Sequence, residues 1–258
     1  MASSEAWSRS DSPALGPKKQ RLDTVLVNRQ LVETRQKAQA LVLSGKVRVE
    51  GQKADKPGRM VNKATRIEVE QPLKYVSRGG FKLEAALGGF DIRVTRRVCL
   101  DVGTSTGGFT DCLLQHGAVR VHAVDTGAGQ IDWKLRTDPR VILHEHVNAR
   151  YLTFKDIGEI ADVIACDVSF ISVTLLIPAL APLLPADGDW VILVKPQFEV
   201  GRELVGKGGI VRDPGAHRFS CDRVTTALHA AGFRTDVMDS PLAGAKGNRE
   251  FLVHARRI

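Results

Sequence analysis

Along residues 21–42 the apolar positions recur at helical spacing. In RLDTVLVNRQL they fall at Leu22, Val25 and Leu26, with Arg29 on the same line. After Thr34, a residue that caps helices, RQKAQALVLSG repeats the pattern through Ala38, Leu41 and Val42, and Gly45 ends it. VRVEGQKA then alternates apolar and polar positions around a Glu-Gly turn, and TRIEVE supplies a second alternating run. This stretch predicts two helices followed by a small antiparallel sheet. Near Lys74 the rhythm changes. Phe81, Leu83, Leu87 and Phe90 mark one helix in YVSRGGFKLEAALGGF, and the apolar segments VCLDV, VRVHAV, ADVIAC and DWVILV follow. Helical stretches around ISVTLLIPALAPLL and RFSCDRVTTALHAAGF are interspersed among them, and EFLVHARRI closes the chain. Strands this apolar need cover on both faces, so the predicted fold is α/β, a doubly wound parallel sheet preceded by a small α+β domain.

The expected boundaries are a disordered tail at 1–18, rich in Ser, Pro and Ala, a first domain at 19–73, a linker at 74–80 and a second domain at 81–258. Ser77, Gly79 and Gly80 make the linker a flexible entry. Charge sharpens this division. The chain of 258 residues carries a net +8, and residues 1–78 hold 16 Lys/Arg against 8 Asp/Glu, whereas residues 79–258 hold 21 of each. All the excess positive charge lies in the first third, as expected of a module that grips a polyanion for a neutral body to act on.

With 43% hydrophobic and 26% charged residues, the composition excludes disordered, collagenous and coiled-coil classes. The longest predominantly apolar run, Val173 to Leu184, contains Pro178 and Pro182 and is shorter than the roughly 20 residues a membrane span needs. The opening residues show no apolar leader segment. Cys99, Cys112, Cys166 and Cys221 form no CxxC pair and the seven histidines no HxxxH set, so the expectation is a cytoplasmic protein without catalytic metal.

The candidate chemistry begins where VCLDV runs into GTSTGGF. Gly103, Gly107 and Gly108 let the backbone approach a ligand closely, and the following helix offers free N–H groups. Asp125 ends the next strand, where a carboxylate binds ribose hydroxyls, so the pair indicates an adenosine ligand. The turn matches neither GxxxxGK[ST] nor GxGxxG. Asp101, just before it, suits a cationic ligand better than a pyrophosphate, which points to S-adenosylmethionine. Ser105, Thr106 and Phe109 complete the expected cofactor turn, and Asn148 and Asp167 are expected to flank the adenine and the methyl donor. Cys166 closes an apolar strand and reads as packing. The loop VGKGGIVRD, 205–213, reads equally as a mobile lid or an ordinary exposed loop.

DVGTSTGGFTDCLLQ, CDVSFIS, LVKPQFE and GNREFLV together resemble the FtsJ-related ribose methyltransferases, whose Rossmann-like sheet the second region would share. RLD, TRxxA, LVLSGKVRV and the glycine after the first strand resemble the small RNA-binding domain named after ribosomal protein S-four. Together they narrow the likeness to the TlyA family of haemolysin-named 16S/23S rRNA methyltransferases, over about residues 19–258.

The resemblance implies a catalytic tetrad of Lys82, Asp167, Lys195 and Glu250. It leaves open whether Lys195 is a neutral base, oriented by Asp167 and Glu250, or a charged stabiliser of the forming alkoxide. It further implies rRNA phosphates held by Arg21, Arg35, Lys37, Lys46 and Arg48, with Arg78 near the junction. The implied reaction is methylation of cytidine ribose 2′-hydroxyls in 16S and/or 23S rRNA within ribosomal subunits, with an effect on capreomycin and viomycin susceptibility. The alternatives are a uridine of 23S rRNA as target, or a non-catalytic RNA-binding or ribosome-assembly protein. A membrane-active haemolysin would need an inserting segment that the sequence lacks. Oligomeric state is left open.

Overall fold

The computed structural model describes residues 19–70 and 73–258, so the tail expected at 1–18 lies outside the described residues. The chain divides into two compact units, at Met1–Pro72 and Leu73–Ile258.

In the first unit β1 (Gln20–Arg21) leads into α1 (Leu22–Asn28) and α2 (Arg35–Leu43), followed by β2 (Val47–Val49), β3 (Gln52–Lys53), β4 (Met60–Val61) and β5 (Ile67–Val69). Thr34 caps α2 by accepting a hydrogen bond from Lys37 N. The Glu50-Gly51 turn joins β2 to β3 with φ of +52° and +76°, and Glu50 Oε1 ties it down by accepting from Arg66 N at 2.7 Å. β3, β2 and β5 form the expected antiparallel sheet, while β1 and β4 make a separate pair. Leu22, Leu26, Ala38, Val42 and Val47 are fully buried between helices and sheet.

The second unit begins with α3 (Gly79–Gly89) and continues through β6 (Val98–Val102), α4 (Gly108–Gln115), β7 (Arg120–Val124), α5 (Trp133–Arg136), β8 (Val141–His144), α6 (Phe154–Ile157) and β9 (Val163–Cys166). Then follow α7 (Ile177–Leu180), β10 (Asp189–Val194), α8 (Pro196–Glu199), α9 (Pro214–Ala230), β11 (Phe233–Asp239) and β12 (Phe251–Arg257). The seven strands lie in the order β11-β12-β10-β9-β6-β7-β8. Those from β10 to β8 run parallel, β12 is antiparallel to β10, and β11 to β12. Two apolar clusters, one on each face, cover the central strands. The chain leaves β6 toward β7 on one side and returns to β9 on the other. A crevice therefore opens at the carboxyl ends of β6 and β9, the place where doubly wound sheets hold ligands.

Three local expectations change. Residues 74–80 are packed into the second unit rather than forming a linker: Tyr75 is fully buried, and Gly79 and Gly80 already belong to α3. Tyr75 crosses so closely that a Cβ on Gly80 would lie 2.2 Å from its ring. The single helix expected around ISVTLLIPALAPLL is a 3₁₀ turn, the four-residue α7 and another 3₁₀ turn, because Pro178 and Pro182 withhold the donors that one long helix needs. The sheet also gains β8 and β11 as its edge strands.

Candidate active site

The glycine turn after β6 is shaped by close approach. Gly103 has φ +86°, and a Cβ there would lie 2.5 Å from the carbonyl oxygen of Asp167, so the two loops meet only because residue 103 is glycine. Gly107, at φ +94°, caps α4, and a Cβ would strike Leu135 at 2.3 Å. Asp125, after β7, braces the turn by accepting from Ser105 N at 2.8 Å and Gly127 N at 2.7 Å, one bond to each carboxylate oxygen. Each oxygen keeps a lone pair for a further donor.

Gly103, Ser105, Asp125, Asn148 and Asp167 line a cavity of about 580 Å³. Asn148 is fixed there as a cap, its side chain accepting from Arg150 N at 3.0 Å. A second cavity of about 270 Å³ adjoins it and shares Gly103, Ser105, Asp167 and Ser169. Thr106, Gly108 and Phe109, expected at the cofactor, border this smaller space instead, together with Lys82, Lys195 and Arg78. Gly107 borders neither of the two.

Asp101, expected to face the cofactor, does not reach either space. It is fully buried, its Oδ2 accepts from Thr110 N at 2.9 Å and Thr110 Oγ1 at 2.6 Å, and its Oδ1 has no partner among the described residues. Burial is the dominant influence and pushes its carboxyl up to about 7. It anchors the first turn of α4 from behind the glycine turn.

The four charged residues of the expected tetrad form two pairs. Asp167 and Lys195 follow the neighbouring parallel strands β9 and β10, which places Lys195 Nζ 2.6 Å from Asp167 Oδ1. The approach is off-line for a hydrogen bond, and Nζ instead donates to Ser169 Oγ at 2.9 Å. Lys82, on α3, donates to Glu250, just before β12. Both are buried, and Gly244 leaves the space Glu250 needs, since a Cβ there would lie 1.8 Å from its Oε1. The expectation that Glu250 orients Lys195 is therefore corrected: Glu250 holds Lys82, and Asp167 holds Lys195. Lys82, Asp167 and Lys195 line the smaller cavity, with Glu250 behind them.

Several neighbours were not among the expected residues. Phe170, on the rim of the larger cavity, is 91% exposed and has φ +66°, with its ring 5.3 Å from that of Phe198. Ser169 and Ser77 line the smaller cavity. Buried Glu199 accepts from Ser172 Oγ and Val173 N, and burial pushes its carboxyl up. Asn248 pins the 205–213 loop by accepting from Val211 N at 3.0 Å and donating to Gly209 O at 2.8 Å. Cys166 is fully buried, receives a hydrogen bond from Trp190 Nε1, and has its thiol pushed up to about 12, as packing requires.

In the first unit the basic residues separate into two groups. Arg21 and Arg35 lie 2.9 and 3.1 Å from Asp23 Oδ2, where Gln39 Nε2 also donates at 3.0 Å. Asp23 is fully buried, and the Arg21 hydrogen bond leads in holding its carboxyl well below the usual range. These arginines thus brace the fold while their side chains stay about half exposed. Lys37 pairs with Glu33 at 2.5 Å, and Arg48 donates to Gly51 O at 3.1 Å. Lys46, Arg48 and Lys53 flank a depression of about 290 Å³ alongside Glu68. Arg78 lies in the second unit, at the smaller cavity.

Among the described residues no cluster of His, Cys, Asp and Glu suits a metal ion, and no helix is long and apolar enough to cross a membrane.

The fold and the two adjoining cavities define a methyltransferase domain. Residues 75–257 match the family model of the FtsJ-like methyltransferases, and residues 20–67 that of the S4 domain. The chain is 45% identical over 239 residues to the 16S/23S rRNA (cytidine-2'-O)-methyltransferase TlyA of Mycobacterium tuberculosis, covering 92% of this chain and 89% of that protein. It is 44% identical over 238 residues to Hemolysin A of Brachyspira hyodysenteriae, covering 91% and 98%. A solved structure of a haemolysin-designated protein from Streptococcus thermophilus superposes with a TM-score of 0.71 at 42% identity, covering 94% of this chain and 90% of that one. The chain belongs to the TlyA family, in which an S4 domain precedes an FtsJ-like methyltransferase domain.

Proposed function

We propose that this protein transfers a methyl group from S-adenosylmethionine to the ribose 2′-hydroxyl of cytidine in 16S and/or 23S rRNA within ribosomal subunits. The observation that carries the reading is the Lys195–Asp167 pair at the junction of two cavities, one shaped for a nucleoside and the other lined by two lysines. Membership of the TlyA family supports RNA as the substrate. The cytidine-2'-O specificity in the name of the Mycobacterium tuberculosis relative supports cytidine as the nucleotide.

The larger cavity fits S-adenosylmethionine by its donors and acceptors. Asp125 offers free carboxylate lone pairs to ribose hydroxyls, Val124 and Ile171 supply apolar walls for adenine, and Asp167 presents negative charge near the cationic end. When bound, the cofactor supplies an electrophilic methyl group on a positively charged sulfur. The chain's own residues must then orient the ribose and take up its proton. The 2′-hydroxyl is a poor acid, so as its oxygen attacks in line and the methyl–sulfur bond breaks, its proton passes to a neutral Lys195 Nζ, and the Asp167 carboxylate beside it stabilises the ammonium that results. Lys82, held by Glu250 in the same wall, offsets the negative charge that develops on the oxygen. Phe170 offers an exposed ring on which the target base stacks. The S4 domain grips structured rRNA through Lys46, Lys53 and Arg48, and the reaction takes place in the cytoplasm with the ribosomal subunits.

The test is transfer of labelled methyl from S-adenosylmethionine to purified small and large subunits. Label in the rRNA of at least one subunit, lost in Lys195→Ala, supports the reading. Absence of label on both, from protein that binds the cofactor, overturns the rRNA assignment.

A further inference from the structure

The loop that follows β9 carries Asp167, Ser169 and Phe170, and the segment that follows β10 carries Lys195, Phe198 and Glu199. These two segments are fastened in step. Lys195 Nζ donates to Ser169 Oγ at 2.9 Å, the rings of Phe198 and Phe170 lie 5.3 Å apart, and Glu199 closes the series. Its Oε2 accepts from Ser172 Oγ at 2.5 Å and its Oε1 from Val173 N at 2.8 Å. From the other side Arg223, on α9, donates to the Glu199 carbonyl at 2.6 Å, so the acceptor is itself anchored.

We propose that Glu199 is a positioning residue, whose buried carboxylate locks the end of the 167–173 loop and thereby holds Asp167, Ser169 and Phe170 in register with Lys195. The inference rests on the reading of this site as one for methyl transfer.

Three observations carry it. Glu199 is 2% exposed, lines neither of the two cavities and spends both carboxylate oxygens on this one loop. Phe170 sits at φ +66°, a left-handed conformation that a bulky residue keeps only when its surroundings fix the backbone on either side. Asp167 is fixed upstream, where its N–H donates to Val102 O at 2.9 Å, and Glu199 supplies the fixed point downstream. Ser172 also shares a hydrogen bond of 2.7 Å with Thr174 Oγ1, which aims its hydroxyl once Glu199 accepts from it. A glutamine here would keep both contacts, its oxygen accepting from Val173 N and its amide group donating to Ser172 Oγ.

The experiment compares wild type, Glu199→Ala, Glu199→Gln and Ser172→Ala by methyl transfer to subunits, S-adenosylmethionine binding and amide hydrogen exchange. Misplacement of the loop by about an ångström predicts a kcat lower by about 30–100-fold in Glu199→Ala. Cofactor affinity should change by less than about fivefold, because Gly103, Ser105 and Asp125 stay in place. Glu199→Gln should return to within about threefold of wild type, with Ser172→Ala between the two. Exchange should rise in residues 167–173 of Glu199→Ala and not in those of Glu199→Gln. A Glu199→Ala enzyme with wild-type kcat, a glutamine variant as impaired as the alanine one, or exchange in 167–173 unchanged would each overturn the proposal. Wild type inactive on every subunit, with the exchange pattern as expected, would defeat the methyl-transfer reading and leave the locking role of Glu199 supported.

Discussion

Lys195 Nζ lies 2.6 Å from Asp167 Oδ1 because their strands are parallel neighbours, with Ile192 of β10 opposite Cys166 of β9. That register delivers both side chains to the same edge of the sheet. Glu250 reaches the site differently, from the antiparallel β12, and meets Lys82 from α3. The two pairs are therefore separable by substitution.

Lys195→Ala is expected to lower kcat by about 10²–10⁴-fold, the range for loss of a positioned proton-transfer group. Cofactor binding should be nearly preserved, since Lys195 lines only the smaller cavity. Single-turnover methyl transfer, set beside calorimetric binding of S-adenosylmethionine, checks both parts. Glu250→Gln should act through Lys82 and lower kcat while leaving the Lys195–Asp167 pair intact.

Asp125→Ala should weaken S-adenosylmethionine binding by about 10–100-fold, the worth of charge-assisted hydrogen bonds to ribose. Part of that loss comes from the turn itself, because Asp125 also braces Ser105 N and Gly127 N. Asp125→Asn keeps an oxygen acceptor and should lose less. Equal affinity in Asp125→Ala and wild type would remove Asp125 from the cofactor site.

Asp101 gives the protein a pH signature. Its carboxyl is raised from 3.8 to about 7 by burial, so the folded state binds a proton more readily than the unfolded chain. The stability it contributes is full below the unfolded value and is lost as pH rises through the window from about 4 to about 7. The slope approaches about 1.4 kcal/mol per pH unit within that window. Urea unfolding at several pH values should show this slope in the difference between wild type and Asp101→Asn, since other titrating groups contribute equally to both. The same variant should bind S-adenosylmethionine within about threefold of wild type, because Asp101 borders neither cavity.

In the first unit Arg35→Ala should cost about 1–2 kcal/mol of stability by removing one donor from buried Asp23. Lys46→Ala should leave thermal unfolding unchanged while weakening RNA binding and reducing its salt slope by about one. Differential scanning calorimetry and binding titrations at several salt concentrations separate the two roles. Matching behaviour of the two variants would show that the Asp23 cluster does not divide structural from RNA-contacting residues.

What the sequence makes legible is what local backbone chemistry fixes. Gly103, Gly107 and Asp125 mark the glycine turn after β6 because a strand, a left-handed turn and a helix start are short-range features. The alternation of apolar strands and helices gave the parallel core. Edge strand β11 escaped because much of it is exposed and mixed in polarity, and β8 because VILH is only four residues long, too short a run to stand out. The place of Asp101 depends on packing, because Thr110 of α4 takes its carboxylate away from both cavities. Arg21 and Arg35 look like free cations until Asp23 is placed between them, and nothing in the local sequence marks Phe170, whose left-handed backbone leaves its ring exposed. Pairing within the tetrad depends on which strand neighbours which, and no spacing in the chain encodes that.

Ribose O-methylation is distinguished from base methylation by the chemical position of the transferred methyl. Wild-type protein would be incubated with ribosomal subunits and labelled S-adenosylmethionine, and the rRNA digested to nucleosides and separated. Label is expected in 2′-O-methylcytidine, with the modified linkage resistant to alkali, and none from Lys195→Ala. Label on a base, or in rRNA that alkali cleaves fully at the modified position, would contradict it.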